Sequence, residues 1–229
     1  MLLELKDIWK MYPMGGDIEI QALKTVNLDV DVGEFISVAG PSGSGKTTLL
    51  NIIGLIDNFS RGSLTLDGIE IKKQTRQELA RLRREYIGFV FQSLNLLPVL
   101  NVFENVELPL VISKKSASRA ERRNRVNYLL EEVGLADRRK HIPAELSGGQ
   151  QQRVAIARAL VTSPRIVIAD EPTASLDSDT GDKILTLMKK INQEDKTTFV
   201  FSTHDPEIWQ MADHIVFLHD GAVKSEERL

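Results

Sequence analysis

Apolar residues follow two rhythms along this chain. At Leu3, Leu5 and Ile8, and again at Val26, Leu28, Val30 and Val32, they alternate with polar residues, the period of a half-buried strand. Phe35-Ile36-Ser37-Val38-Ala39 is a short apolar run stopped by Gly40, which predicts a strand buried on both faces. Residues 63–66, the Asp67-Gly68 turn and residues 69–71 predict a hairpin. From about residue 103 to 160 the rhythm becomes helical, with Leu129, Leu130, Val133 and then Val154, Ala157, Leu160 spaced among charges. Beyond it, 166–169, 198–201 and 215–218 predict strands, while 178–194 and 205–212 predict helices. Such alternation implies an α/β fold with a parallel sheet covered on both faces. The stretch 93–160 reads as a helical subdomain inserted into one domain spanning 1–229.

Composition narrows this picture by exclusion. The 229 residues are 42% hydrophobic, enough for a sizeable core, and the net charge of −3 gives no global field favouring nucleic acid. The basic clusters at 81–84, 122–123 and 138–140 read as solvated helix faces. With no cysteine, disulfides and thiolate metal sites are out. Acids interrupt the first residues, so they do not read as a signal peptide. No apolar run approaches the ~18 residues of a membrane span, so any membrane role is expected through a partner.

The candidate chemistry starts at Gly40-Pro41-Ser42-Gly43-Ser44-Gly45-Lys46-Thr47, a P-loop pattern between the expected strand 35–39 and an apolar helix at Leu49, Leu50, Ile52, Ile53. Its glycines let successive amides face one anion, Lys46 adds a point charge, and the Thr47 hydroxyl can ligate Mg²⁺, with Thr48 next in the nucleotide-binding run. Asp170 ends a predicted strand, which puts a carboxylate at the sheet's C-terminal edge to hold Mg²⁺ through water. Glu171 follows and points elsewhere, as a general base for an attacking water must. A second glycine loop, Leu146-Ser147-Gly148-Gly149-Gln150, opens a helical run. Ser147 suits an N-cap, yet two glycines in a first turn cost about 1 kcal/mol each against alanine.

The Leu-Ser-Gly-Gly-Gln run, lying between Lys46 and Asp170, resembles the signature motif of ABC ATPases, and the resemblance covers essentially the whole chain. It implies a P-loop NTPase with a RecA-like core (1–92 and 161–229, including an N-terminal antiparallel β-subdomain) and a helical signature subdomain at 93–160. It implies ATP and Mg²⁺ as cofactors and a head-to-tail dimer, with Ser147, Gly148, Gly149 and Gln150 of one copy facing the ATP held by the other. Tyr12 resembles the aromatic that stacks on adenine, Gln92 the glutamine that reaches Mg²⁺ and water, and His204 the histidine that orients that water. Ser175-Leu176-Asp177 resembles the loop lining the dimer interface. The runs at 91–98, 104–110, 148–160 and 169–173 are similar to the macrolide-exporter and lipoprotein-releasing branch, MacB/LolD-like. That branch implies an integral membrane permease of MacB/FtsX-like type, docked on the apolar patch after Gln92. It also implies a cytoplasmic position at the inner membrane face, export or extraction of a cargo this subunit never touches, and no fused permease or C-terminal regulatory domain. An FtsE-like ATPase signalling to an extracytoplasmic hydrolase stays open. A DNA-acting ABC ATPase is disfavoured, because the insert before Ser147 has no sustained heptads and no cysteine.

Overall fold

The computed structural model describes residues 1–15, 19–113, 118–173 and 176–229. Two strands open the chain, β1 (Leu3–Pro13) and β2 (Glu19–Val30), followed by β3 (Phe35–Ala39), α1 (Lys46–Ile53), β4 (Arg61–Leu66) and β5 (Ile69–Glu70). Then come α2 (Arg76–Tyr86), β6 (Ile87–Val90), α3 (Val102–Ile112), α4 (Arg119–Glu132) and α5 (Gly148–Leu160). The remainder is β7 (Ile166–Asp170), α6 (Ser178–Asp195), β8 (Thr198–Thr203), α7 (Pro206–Trp209), β9 (His214–His219) and β10 (Ala222–Arg228). The fold is mixed α/β, an antiparallel sheet beside a mostly parallel one with helices.

An antiparallel sheet in the order β2-β1-β4-β5 packs beside a six-stranded sheet in the order β10-β9-β3-β8-β7-β6. In the larger sheet every neighbouring pair is parallel except β9 with β10. The apolar strands that read as continuous runs sort their residues by parity. Phe35, Ala39, Val167, Ala169, Phe199 and Phe201 join one core with Val106, Leu130, Ile156, Leu160, Leu185 and Met188 from α3 to α6. Ile36, Val38, Ile166, Ile168, Val200 and Val216 join the other, against Leu49, Ile52 and Ile53 of α1 and the inner face of the antiparallel sheet. Both faces of the sheet are thus covered, as parallel strands require.

Three details depart from the apolar pattern. Val32 falls in the turn after β2 and is 52% exposed, so the alternation overruns the strand. The predicted helix at 205–212 shortens to α7, Pro206–Trp209. The helix α2 and the strand β10 arise where no apolar rhythm announces them. In α2, Leu82 is the buried residue, and the helix instead rests on a capping box in which the Glu78 amide donates to Thr75 Oγ1 and the Thr75 amide donates to the Glu78 carboxylate. β10 is mostly charged and lies at the sheet edge.

Candidate active site

The strand order places the ends of β3, β8, β7 and β6 side by side at one edge, because all four run parallel. From those ends emerge the P-loop, His204, Asp170-Glu171 and Gln92. The loop after β3 is clamped by neighbouring backbone. Gly40 has φ 148°, and a Cβ there would sit 2.1 Å from the Leu218 carbonyl oxygen. Gly45, the N-cap of α1, has φ 104°, and its Cβ would meet the Ala22 carbonyl at 2.8 Å. No side chain fits either position, so the loop closes only with glycine there. The Gly221 amide donates to the Ser44 carbonyl at 2.9 Å and fixes the loop from the β9–β10 turn.

Inside the loop the Lys46 ammonium is buried and donates to the carbonyls of Gly40 (2.8 Å) and Pro41 (2.9 Å). The Ser44 hydroxyl is also buried and has no hydrogen-bond partner among the described residues. A cleft of about 520 Å³ opens above, lined by Ser42, Gly43, Gly45, Lys46, Thr47 and Thr48, with Gln92 and Glu171 on its far wall. Thr47, Gln92 and Asp170, the three residues expected to serve Mg²⁺, line one adjoining cavity of about 240 Å³.

Asp170 and Glu171 diverge as adjacent strand-end residues must, and Glu171 takes a left-handed backbone (φ 47°). The His204 Nδ1 lies 3.1 Å from Glu171 Oε1. Ser202, which the motifs do not announce, joins the pair. Its hydroxyl donates to Asp170 Oδ1 at 2.5 Å and accepts from the Glu171 amide at 2.9 Å. One fully buried hydroxyl therefore orients the expected metal carboxylate and the turn carrying the expected base. Its only signal is the register, since Ser202 pairs with Asp170 across β7 and β8.

Tyr12 stands apart from the cleft lining. Its hydroxyl donates to Asp57 Oδ2 at 2.6 Å, and the Lys10 ammonium lies 4.6 Å from its ring centre. Burial, then the hydrogen bond to Asp57, pushes the Tyr12 phenol above its ordinary pKa. Burial alone would raise Asp57, but hydrogen bonds from Lys10, Tyr12 and the Asn58 amide outweigh it and hold that carboxyl low. Lys10, buried on β1, also donates to the Asn58 carbonyl at 2.7 Å. This network ties β1 to the segment leaving α1.

The second glycine loop is not brought to the cleft. Ser147 caps α5 through a capping box: the Gln150 amide donates to Ser147 Oγ (3.3 Å) and the Ser147 amide to Gln150 Oε1 (3.0 Å). Gly148 is exposed, and a Cβ on it would meet nothing within 4 Å. Gly149 packs toward Thr180 and Leu176. Asp177 caps α6 by accepting from the Thr180 amide, and hydrogen bonding from the Thr180 hydroxyl, then from its amide, lowers the Asp177 pKa. Ser175, in the expected interface loop, lies outside the described residues. No helix among the described residues is long and apolar enough to cross a membrane.

This geometry has close counterparts. Residues 23–174 match the family model described as ABC transporter. The chain is 50% identical over 230 residues to an uncharacterized ABC transporter ATP-binding protein, MJ0796, of Methanocaldococcus jannaschii, covering 100% of this chain and 97% of that one. It is 46% identical over 228 residues to the macrolide export ATP-binding/permease protein MacB of Bdellovibrio bacteriovorus, covering 100% of this chain but 34% of that longer protein. A dimeric structure of the MJ0796 cassette in a post-hydrolysis state, bound to ADP and Pi, aligns with a TM-score of 0.94 at 49% identity, over 100% of this chain and 99% of that one. The cbiO1 structure from Clostridium perfringens, part of the ABC transporter complex cbiONQ, aligns with a TM-score of 0.86 at 30% identity, over 99% and 88%. This chain belongs to the ABC transporter family, as one of its ATP-binding, ATP-hydrolysing cassettes.

Proposed function

We propose that the cassette binds Mg²⁺-ATP in the cleft, closes head to tail on a second copy of itself and drives a separate membrane permease. The observation that carries this reading is the contrast between its two glycine loops. The first is built into a cleft with Lys46, Gln92 and Glu171, whereas the second, with Ser147 and Gly148 exposed, is absent from that lining. A second copy, rotated, would bring residues 147–150 over the ATP held by the first.

The cradle suits its ligands. Among the described residues, a buried ammonium that donates to loop carbonyls and a buried hydroxyl without a partner both suit an anion at a helix start. Thr47, Gln92 and Asp170 are hard oxygen donors of the kind Mg²⁺ takes, alongside water and phosphate oxygens. When bound, the ion neutralises charge on the phosphates. Lys46 stabilises the charge that develops on the phosphoryl oxygens. Glu171 accepts the proton of the attacking water, and His204, 3.1 Å away, orients it. Ser202 keeps Asp170 and Glu171 diverging. Tyr12, with one approach taken by Lys10, supplies the platform for the base.

Residues 93–160 act as the helical arm that carries the signature loop. An apolar groove of about 360 Å³, lined by Phe89, Phe91, Leu108, Pro109 and Ile112, opens beside this arm. Ile112 of the groove is 53% exposed, and Val99, elsewhere on residues 93–160, is 85% exposed. A coupling helix of the permease docks here, at the inner face of the membrane. The likeness to MacB, whose name joins ATP-binding and permease functions, supports export or extraction as the output.

The test is sedimentation velocity of Glu171→Gln protein. With Mg²⁺-ATP it sediments as a dimer, and with ADP as a monomer. A monomer in every nucleotide state would overturn the sandwich.

A further inference from the structure

Gln92 sits in a loop whose backbone is held in an unusual state. Beyond Ser93, Leu94 (φ 58°) and Asn95 (φ 49°) are consecutive non-glycine residues in the left-handed region. The left-handed region is strained for leucine and better tolerated by asparagine, so such a pair persists where neighbouring structure enforces it. Two internal hydrogen bonds tighten the turn, from the Leu94 amide to the Phe91 carbonyl at 2.9 Å and from the Asn95 amide to the Ser93 carbonyl at 2.6 Å. The enforcement comes from α5. The Arg158 guanidinium donates through Nη2 to the Leu94 carbonyl at 2.5 Å and through Nη1 to the Asn95 carbonyl at 2.6 Å. Among the described residues Arg158 has no carboxylate partner. Arg158 is half-buried, and burial lowers its pKa.

We propose that Arg158 is the positioning residue for Gln92: its planar fork clamps the two left-handed residues and thereby sets where Gln92 meets the cleft. A lysine ammonium has no such fork and cannot reproduce it. The clamp lies between two cavities. Phe91 and Asn95 line both the apolar groove and the small cavity shared with Thr47 and Asp170, and Arg158 lines the groove side. Arg158 is also carried by the helix that begins at Gly148, about 15 Å away along its axis. Arg158 therefore links the signature helix to the Gln92 loop, alongside the close packing of the Ala159 carbonyl on Gly88 of β6.

This inference rests on the reading of Gln92 as a residue of the reaction, so the experiment includes Gln92→Ala. Steady-state ATP hydrolysis is measured on Arg158→Met, Arg158→Lys and Gln92→Ala, with hydrogen exchange of the intact proteins. Arg158→Met lowers kcat about tenfold with KM for ATP within about twofold, since misplacing a reacting group costs turnover rather than binding. Arg158→Lys falls between. Exchange in Arg158→Met rises at residues 91–97 and stays unchanged in the sheet and in α1. Unchanged kcat and unchanged exchange at 91–97 in Arg158→Met would overturn the proposal, as would faster exchange throughout the fold, which marks a merely structural arginine. If Gln92→Ala itself keeps full turnover, the reading of Gln92 fails first. If Gln92→Ala is impaired and Arg158→Met is not, only the clamp fails.

Discussion

The chain carries two glycine-rich loops at helix starts, and they are finished to different degrees. The loop before α1 is enclosed: a carbonyl of β9 faces Gly40, a carbonyl of β2 faces Gly45, and its lysine is buried. The loop before α5 uses a serine–glutamine capping box and leaves Gly148 in open space. Both are anion-ready by the same physics of unpaired helix amides. Only the first has walls. The difference teaches that a phosphate site is made by what surrounds the helix start, and under the proposed function the second loop is half of a site completed by another copy.

The largest break in this comparison comes from Lys46→Ala. Removing the buried ammonium cuts ATP hydrolysis by about a thousandfold, measured as phosphate release, and weakens binding of a fluorescent ATP analogue. The second loop is broken by Gly148→Asp. A Cβ at Gly148 meets nothing, and an acid in a first turn favours the helix, so the melting temperature holds or rises slightly. Hydrolysis nonetheless falls about a hundredfold, because a like charge faces the γ-phosphate in the closed dimer, while nucleotide binding to the monomer is unchanged.

A smaller effect sharpens the first side. Ser202→Ala leaves Asp170 and the Glu171 amide without their shared partner. Turnover drops about tenfold and the Mg²⁺ concentration needed for half-maximal nucleotide binding rises, with ATP binding in the absence of Mg²⁺ unaltered. The smallest effect concerns how firmly α1 is anchored. Asp57 has its carboxyl held below the ordinary range by Lys10, Tyr12 and Asn58 against the cost of burial. Its contribution to stability is present above the unfolded pKa of about 3.9 and is lost as pH falls through the lower folded value. Denaturation midpoints of Asp57→Asn and the parent, followed down to pH 3, converge in that acid range and separate above it.

The parts of the site that were legible in the sequence are those whose chemistry is local. The P-loop, the strand-end acids Asp170 and Glu171, and His204 each follow a run whose period announces a strand, and the parallel sheet then aligns the strand ends. Ser202, Asp57 and Arg158 were not legible, because each acts on residues far away in sequence through a register, a buried ion pair or a helix packing. The helix α2 escapes an apolar reading because Leu82 alone is buried, and β10 because an edge strand needs little burial. Val32 misleads in the other direction, continuing an alternation past the last residue that pairs with β1.

The central claim, that each catalytic site joins the first loop of one copy to the second loop of another, is tested most directly by mixing two inactive proteins. Lys46→Ala retains a good signature loop, and Gly148→Asp retains a good P-loop. Equimolar mixing restores about a quarter of the parent's specific activity, because half the randomly paired dimers carry one intact composite site out of two. Activity of the mixture no greater than that of the two variants measured separately would contradict the account.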